Sequence, residues 1–342
     1  MPSLKEIKGR INSISSTLAI TSAMKMVAAA KLQKAQMAIQ NMLPYERRLH
    51  SMLIDLMGAV NMSAPASEEG SARLMSLSNQ PDHTESEGAY SLMAQRQVHR
   101  VAIVAFASNS SLCGAFNSNV IREATAVINE YRASGLGDAD ITVYSVGRKM
   151  AEAMKKLGFP SPADFTKMSD SPSYDAASAL AQELFDGFVS GRFDKVELVY
   201  NHYKSTSSQP TTRQTYLPLS LADATADIQV GKITDSASEP YADKVAEPVV
   251  RQNSPTTETP DLIVEPSKEE LIATLLPKVV RLRVFTTLLD STAAEHAART
   301  VAMQLATDNG NDLLQELTLE YNKGRQQKIT SEILDIVGGS MQ

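Results

Sequence analysis

The segment SNSSLCGAFNSN (108–119) holds the residues whose types and spacing invite a chemical reading. It joins an apolar run, VHRVAIVAFAS (98–108), to a helical pattern, NSNVIREATAVINEYRAS (117–134). That is the place where a strand–loop–helix unit cradles a phosphate on backbone N–H groups. The loop carries one glycine, Gly114, and neither GK[ST] nor GxGxxG, so the nucleotide pattern is incomplete and a structural or partner-contacting turn is the plainer reading. Cys113 lies in the same loop with no His or Asp near it in sequence. A catalytic thiol needs a base and an orienting group, so Cys113 reads as a half-buried structural thiol. The acids of EPSKEE (265–270) look like a carboxylate pair, but in so acidic a stretch they read as a solvated helix start. Five scattered histidines beside one cysteine make no metal cluster, no acid–base–nucleophile set is visible, and no cofactor is expected.

The composition narrows the classes further. A formal charge of −6 lacks the basic footprint that nucleic acid requires. One cysteine allows no intramolecular disulfide, and a reducing compartment is the simpler setting. The start, MPSLKEIKGR, has no apolar core of signal-peptide length, and no uncharged apolar run is long enough to span a bilayer. The expectation is a soluble protein that any membrane holds only through something else. Its 342 residues favour two parts, or one domain with long appendages.

The elements that must position these residues read as follows. From Leu4 to Leu56 an apolar heptad repeat runs along two seams. One holds Leu4, Ile11, Leu18, Lys25, Leu32, Ile39, Glu46 and Leu53; the other holds Ile7, Ile14, Thr21, Ala28, Ala35, Met42, Leu49 and Leu56. A helix of about 50 residues is about 75 Å long, so residues 1–57 must project from any compact body, with a kink expected at Pro44. Residues 58–97 turn to Asn, Ser, Pro, Gly and Glu and read as a loop excursion. Residues 98–220 alternate strands (98–108, 140–147, 195–205, 211–220) with helices (117–134, 147–157, 174–190), the pattern of a small sheet covered by helices. Residues 221–267 read as an acidic insertion: eleven acids stand against four bases over 221–270. Residues 268–342 return to helix, with Leu275, Leu282 and Leu289 at heptad spacing and Leu314, Leu317, Tyr321, Ile329, Ile333 and Ile336 on a later face. The two ends can therefore pair, because the intervening domain lets the chain reverse.

The first 57 residues hold eight Lys/Arg against three Asp/Glu in an otherwise acidic chain. A basic helix of this kind lies on a membrane or nucleic acid, meets an acidic protein surface, or is simply a solvated coiled-coil flank. Around Lys25, in ITSAMKMVAAAKLQKAQ (20–36), small and apolar side chains surround the whole helix, which leaves no clean polar face. The C-terminal run YNKGRQQKITSEILDIVGG (321–339) would expose Ile329, Ile333, Ile336 and Val337 on a lone helix, so a partner should cover them.

Three blocks, ITSAMKMVAAAKLQKAQ (20–36), SLCGAFNSN (111–119) and the pair ATDNGND (306–312) with LEYNKGRQQKITSEILDIVGG (319–339), make the chain resemble the gamma-subunit family of F-type ATP synthases over essentially its whole length. The resemblance implies a rotor shaft that is not itself catalytic. Its terminal helices would stand inside a ring of alternating alpha and beta subunits. Its α/β domain would sit at the foot, beside the epsilon subunit and the membrane ring of c subunits. One copy would serve each complex, held peripherally at the cytoplasmic face of a bacterial inner membrane. By the same resemblance Arg325, Gln326, Thr330 and Glu332 contact the ring opposite Met24 and Lys25, Glu295 and Arg299 form a further polar contact set, and Leu112, Cys113, Gly114 and Asn117 form the foot turn. The chain departs from the family at Asn109, Ser110 and Ser111, where Asp-Arg-Gly is usual, and at Ala19 and Ser22, where Lys is frequent. The fold expected is α/β with long helices: an antiparallel coiled coil of the N- and C-terminal helices with an inserted Rossmann-like α/β domain. A static coiled-coil scaffold and a doubly wound α/β enzyme are the alternatives.

Overall fold

A computed structural model describes residues 3–62, Leu92, 96–219, Glu265 and 267–340. The acidic insertion expected at 221–267 and most of the excursion expected at 58–97 lie outside the described residues. The chain order is α1 (Leu4–Met62), β1 (Val101–Phe106), α2 (Phe116–Ala133), β2 (Ile141–Val146), α3 (Arg148–Lys156), α4 (Thr166–Asp170), α5 (Tyr174–Val189), β3 (Lys195–Asn201), β4 (Thr211–Leu217) and α6 (Lys268–Ser340).

The Leu-, Ala-, Met-, Lys- and Gln-rich terminal segments favour helix because straight side chains lose little rotamer freedom there. Ser3 opens α1 by accepting the Glu6 amide at 3.2 Å, and Ser267 opens α6 by accepting that of Glu270 at the same distance. The acids at 265–270 are thus a capped helix start, with Glu265 and Glu270 exposed. At 1.5 Å per residue the 59 residues of α1 and 73 of α6 make rods of about 90 and 110 Å. Helix α1 continues to Met62, past the end expected at residue 57, and both rods run through a proline, Pro44 and Pro277, without ending. A proline forfeits one hydrogen bond, and two seams of packing outweigh it.

The rods run antiparallel. Leu4 lies against Gly324, Leu18 against Gly310, the Thr307 hydroxyl donates to Thr21 at 3.0 Å, and that of Thr286 donates to Glu46 at 3.1 Å. Residue numbers rise on one helix as they fall on the other, and the predicted seams face inward: Ile7, Ala28, Leu32, Ala35, Leu49, Leu53 and Leu56 are buried. Gly310, the glycine of ATDNGND, keeps the helices close, because a Cβ there would stand 2.6 Å from the Leu18 side chain.

Four strands form one sheet in the order β2-β1-β3-β4, with β1 parallel to both neighbours and β4 antiparallel to β3. Every residue of β1 is buried, so both sheet faces are covered. On one face Val101, Ile103 and Ala105 meet Val120, Ala124, Val127 and Ile128 of α2 and Met150 and Met154 of α3. On the other, Ala102, Val104 and Phe106 share a core with Leu180, Leu184 and Phe188 of α5, Leu49, Leu53 and Leu56 of α1, and the α6 face from Ile272 to Leu288. The root of the coiled coil is therefore one wall of the domain's core.

Beneath α2 a buried charge is fully partnered. The Glu197 carboxylate accepts from Arg213 Nε at 2.6 Å, Lys195 Nζ at 2.7 Å and the Tyr131 hydroxyl at 2.6 Å. Burial pushes this carboxyl up, but the bonds from Arg213, Lys195 and Tyr131 together hold it below its usual range. Its contribution to stability is therefore present above the ordinary value near 4.5 and lost as pH falls through the lower folded value. Arg213→Met, which strips the strongest partner from this carboxylate, should lower unfolding free energy by about 3 kcal/mol and move acid unfolding to higher pH, as read by circular dichroism across a pH series.

Candidate functional site: a projecting shaft and its joint

The foot turn is built where β1 ends. Leu112 and Gly114 both take left-handed backbone conformations, with φ of 68° and 59°. A branched side chain there is costly, about 1–2 kcal/mol, so the turn must be over-determined by its surroundings. The reversal sends Leu112 outward, 58% exposed, and Cys113 inward, 2% exposed, into a small core with Phe116 and Ala294. Asn117 closes the turn: its Oδ1 accepts the Ser108 amide at 3.0 Å and its Nδ2 donates to the Ser110 carbonyl at 3.2 Å. Cys113 is thus structural, nearer to full burial than the half-buried state expected. Asn109, where the sequence departs from Asp-Arg-Gly, ties the turn to two helices. Its Oδ1 accepts the Arg148 amide at 2.7 Å, and its Nδ2 donates to the Thr166 carbonyl at 2.7 Å.

Glu295 and Arg299 belong to this joint. Arg299 donates to Glu295 at 2.6 Å and, through its other terminal nitrogen, to the Ser110 hydroxyl at 2.6 Å. Glu295 is 7% exposed, and burial raises its carboxyl above the usual range against the pull of Arg299. The pair expected as a further polar contact set faces the foot turn within this chain, because α6 lies on the domain at this level. Next to it, burial holds the His296 imidazole down to about 4.

The shaft surface beyond the joint is apolar in an unusual place. Ile20, Met26 and Val27 of α1 are 57–65% exposed, and Val301 and Leu305 of α6 lie exposed at the same level of the antiparallel register. Met24 and Lys25 are half-buried at the seam, facing the part of α6 near Thr307. Arg325, Gln326, Thr330 and Glu332 are all exposed but do not stand opposite them. Gly324 already meets Leu4, so this set lies past the start of α1, and the antiparallel register overturns the juxtaposition expected. From Arg325 onward every described side chain of α6 is exposed, including Ile329, Ile333, Leu334 and Ile336 at 46–72%.

A family model described as ATP synthase matches residues 3–341. An ATP synthase gamma chain of Phocaeicola vulgatus is 49% identical over the full length of both chains, and one of Bacteroides thetaiotaomicron is 47% identical, again over both full lengths. The chain belongs to the ATP synthase gamma-chain family. Among solved structures it is similar in fold to a chain of the Euglena gracilis mitochondrial ATP synthase OSCP/F1/c-ring assembly, at TM-score 0.55 and 18% identity, covering 99% of this chain and 93% of that one. A chain of the rotor of the same enzyme gives 0.52 at 18% identity, covering 95% and 98%.

Sequence reasoning noted Asn109 and Ser110 only as departures from the family pattern and missed Gln36, His202, Tyr203 and Asp290, which also hold the joint. These polar residues come from the turn, α1, the β3–β4 loop and α6, and no local pattern links them. No described helix is long and apolar enough to cross a membrane, and no group of metal-ligating side chains occurs among the described residues. Arg299→Ala should cost about 3 kcal/mol in denaturant unfolding by stranding the buried Glu295 charge, while the double change Glu295→Leu with Arg299→Leu should recover most of that loss.

Proposed function

We propose that this gamma chain is the central rotor shaft of a proton- or sodium-driven ATP synthase, a subunit that carries no catalytic residues of its own and couples rotation of a membrane ring to nucleotide sites on other chains. The observation that carries the reading is the uncovered apolar surface of a rod too long for its own domain. A water-soluble helix that ends in exposed Ile329, Ile333, Leu334 and Ile336 calls for a sleeve. The band of Ile20, Met26, Val27, Val301 and Leu305 extends that need around the waist. Alpha and beta subunits in a ring form the sleeve, and the epsilon subunit and the c ring meet the domain end. Membrane association is indirect, at the cytoplasmic face of a bacterial inner membrane.

Such a surface suits sliding. Apolar and Met side chains make few directional bonds, so no single angular position is locked. Arg325, Gln326, Thr330 and Glu332, exposed on the projecting end with Met24 and Lys25 at the waist, give the rod its asymmetry. Each orientation then favours a different conformation of the neighbouring nucleotide site, which is coupling by differential binding. The foot turn, Leu112 to Asn117, fixes the domain to the rod so that both turn together.

Two measurements test this. Native mass spectrometry of the complex released gently from membranes should show one copy per hexameric ring of larger nucleotide-binding subunits; a free monomer or homodimer under conditions that keep such rings intact contradicts the shaft. Arg325→Ala with Gln326→Leu should leave assembly intact and lower coupled ATP turnover about tenfold, the weight of a coupling free energy near 1.4 kcal/mol. Lost assembly with unchanged turnover per complex would favour a static scaffold instead.

A further inference from the structure

The loop between β3 and β4 sits where three parts of the molecule meet, and its contacts are more specific than packing alone requires. Asn201, 1% exposed, anchors the loop's base: its Nδ2 donates to the Phe116 carbonyl at 3.0 Å and its Oδ1 accepts the Thr211 hydroxyl at 2.7 Å. The next two residues reach the shaft. His202 Nδ1 lies 2.7 Å from Asp290 Oδ2, and the Tyr203 amide donates to Asp290 Oδ1 at 2.9 Å. One α6 carboxylate thus holds consecutive residues of the loop with both oxygens.

The Tyr203 ring then enters the seam between the rods. It packs against Leu32, Ala35, Ala293 and Ala297 on one side and against Cys113, Phe116 and Ala294 on the other. Its hydroxyl accepts a hydrogen bond from Gln36 Nε2 of α1 at 2.7 Å. Three parts of the molecule, α1, α6 and the foot turn, converge on one side chain that the sheet's own loop supplies. Alanine flanks give an apolar contact that can slip; the Asp290 and Gln36 bonds are directional and cannot.

We propose that the His202–Tyr203 segment is a torsional pin, which Asp290 and Gln36 lock between the two rods, and that the lock tightens when His202 is protonated. The inference rests on the rotor reading for its use, though not for its existence. A domain joined to a rod by apolar contacts alone would wind against it under load; a charged, bidentate clamp at the seam resists that rotation. The charged groups acting on the imidazole are Asp290 from α6 and Lys204 from its own loop, while α1 presents Gln36, Leu32 and Ala35 to the wedge. The hydrogen bond to Asp290 raises His202 above the ordinary 6.5, against burial and Lys204. The ion pair is therefore complete below pH 6.5 and weakens as pH rises through the higher folded value. The clamp is stiffest below the ordinary imidazole value and relaxes as pH rises through the higher folded one.

The test uses the full chain and then the assembled complex. In hydrogen exchange on the full chain, Asp290→Asn should speed exchange of the Tyr203 amide about tenfold, the weight of a charge-assisted hydrogen bond, with β1 unchanged. Wild-type protection of that amide, corrected for intrinsic exchange, should fall as pH rises past the His202 titration, and His202→Gln should remove that pH dependence while preserving the fold. An unchanged Tyr203 amide in Asp290→Asn, or the same pH profile in wild type and His202→Gln, overturns the pin. In the complex, with the ring immobilised and a bead on the α/β domain, the angular spread of the wild type at each dwell should widen with pH, and that of His202→Gln should be wide throughout. Equal, pH-independent spread in both also overturns the pin. A wild-type complex that does not rotate overturns the shaft reading alone, because the exchange result stands without it.

Discussion

Everything else in this structure depends on the antiparallel seam between α1 and α6. Each rod carries apolar residues at heptad spacing together with exposed apolar residues, and helices in proteins gain most of their stability from packing an apolar face. Pairing them with Leu4 at Gly324 and Thr21 at Thr307 buries one set of side chains and fixes which residues share a level. That register in turn decides where the shaft is two helices thick and where it is one.

The same seam builds the domain. Leu49, Leu53 and Leu56 at one end of α1 and Ile272 to Leu288 on α6 supply the core beneath one face of the sheet, so the sheet has no complete core without the rods. Parallel strands such as β1 need both faces covered, and here the second cover is the root of the shaft. A rigid domain–shaft unit follows from this sharing. Twist applied at either end must deform a close-packed interior, which is poorly compressible, instead of a linker.

Polar groups then specify what apolar packing leaves degenerate. Alanine-rich faces such as Ala293, Ala294 and Ala297 let elements approach closely but distinguish poorly between rotations about the rod axis. Arg299 on Ser110 and Glu295, and Asp290 on His202 and Tyr203, add bonds with one good geometry each. These charges are sequestered at the joint, whereas the charges of the projecting end, Arg325 and Glu332 among them, are left in solvent. Position along α6 thus sorts the same residue types into buried holding groups and exposed ones.

The sequence by itself determined the two rods, their seams and the strand–helix alternation between them, because period and propensity are local properties that need no knowledge of the rest of the chain. It also marked a turn after the first strand, which the family resemblance made the foot turn, and the exposed apolar end of α6, since no partner within the helix could cover it. The helix end at Met62 went past the expected boundary because one glycine, Gly58, among helix formers such as Met57, Ala59 and Met62 weakens a helix without ending it. What only the tertiary structure decided is which residues meet. Glu295 reads only as one of a polar contact set until α6 is laid on the turn, and Arg325 reads as a neighbour of Lys25 until the register places it beyond Leu4. His202, Tyr203, Asp290 and Gln36 come from three separate elements, and long-range polar contacts leave no periodic trace, so their convergence exists only in the folded chain.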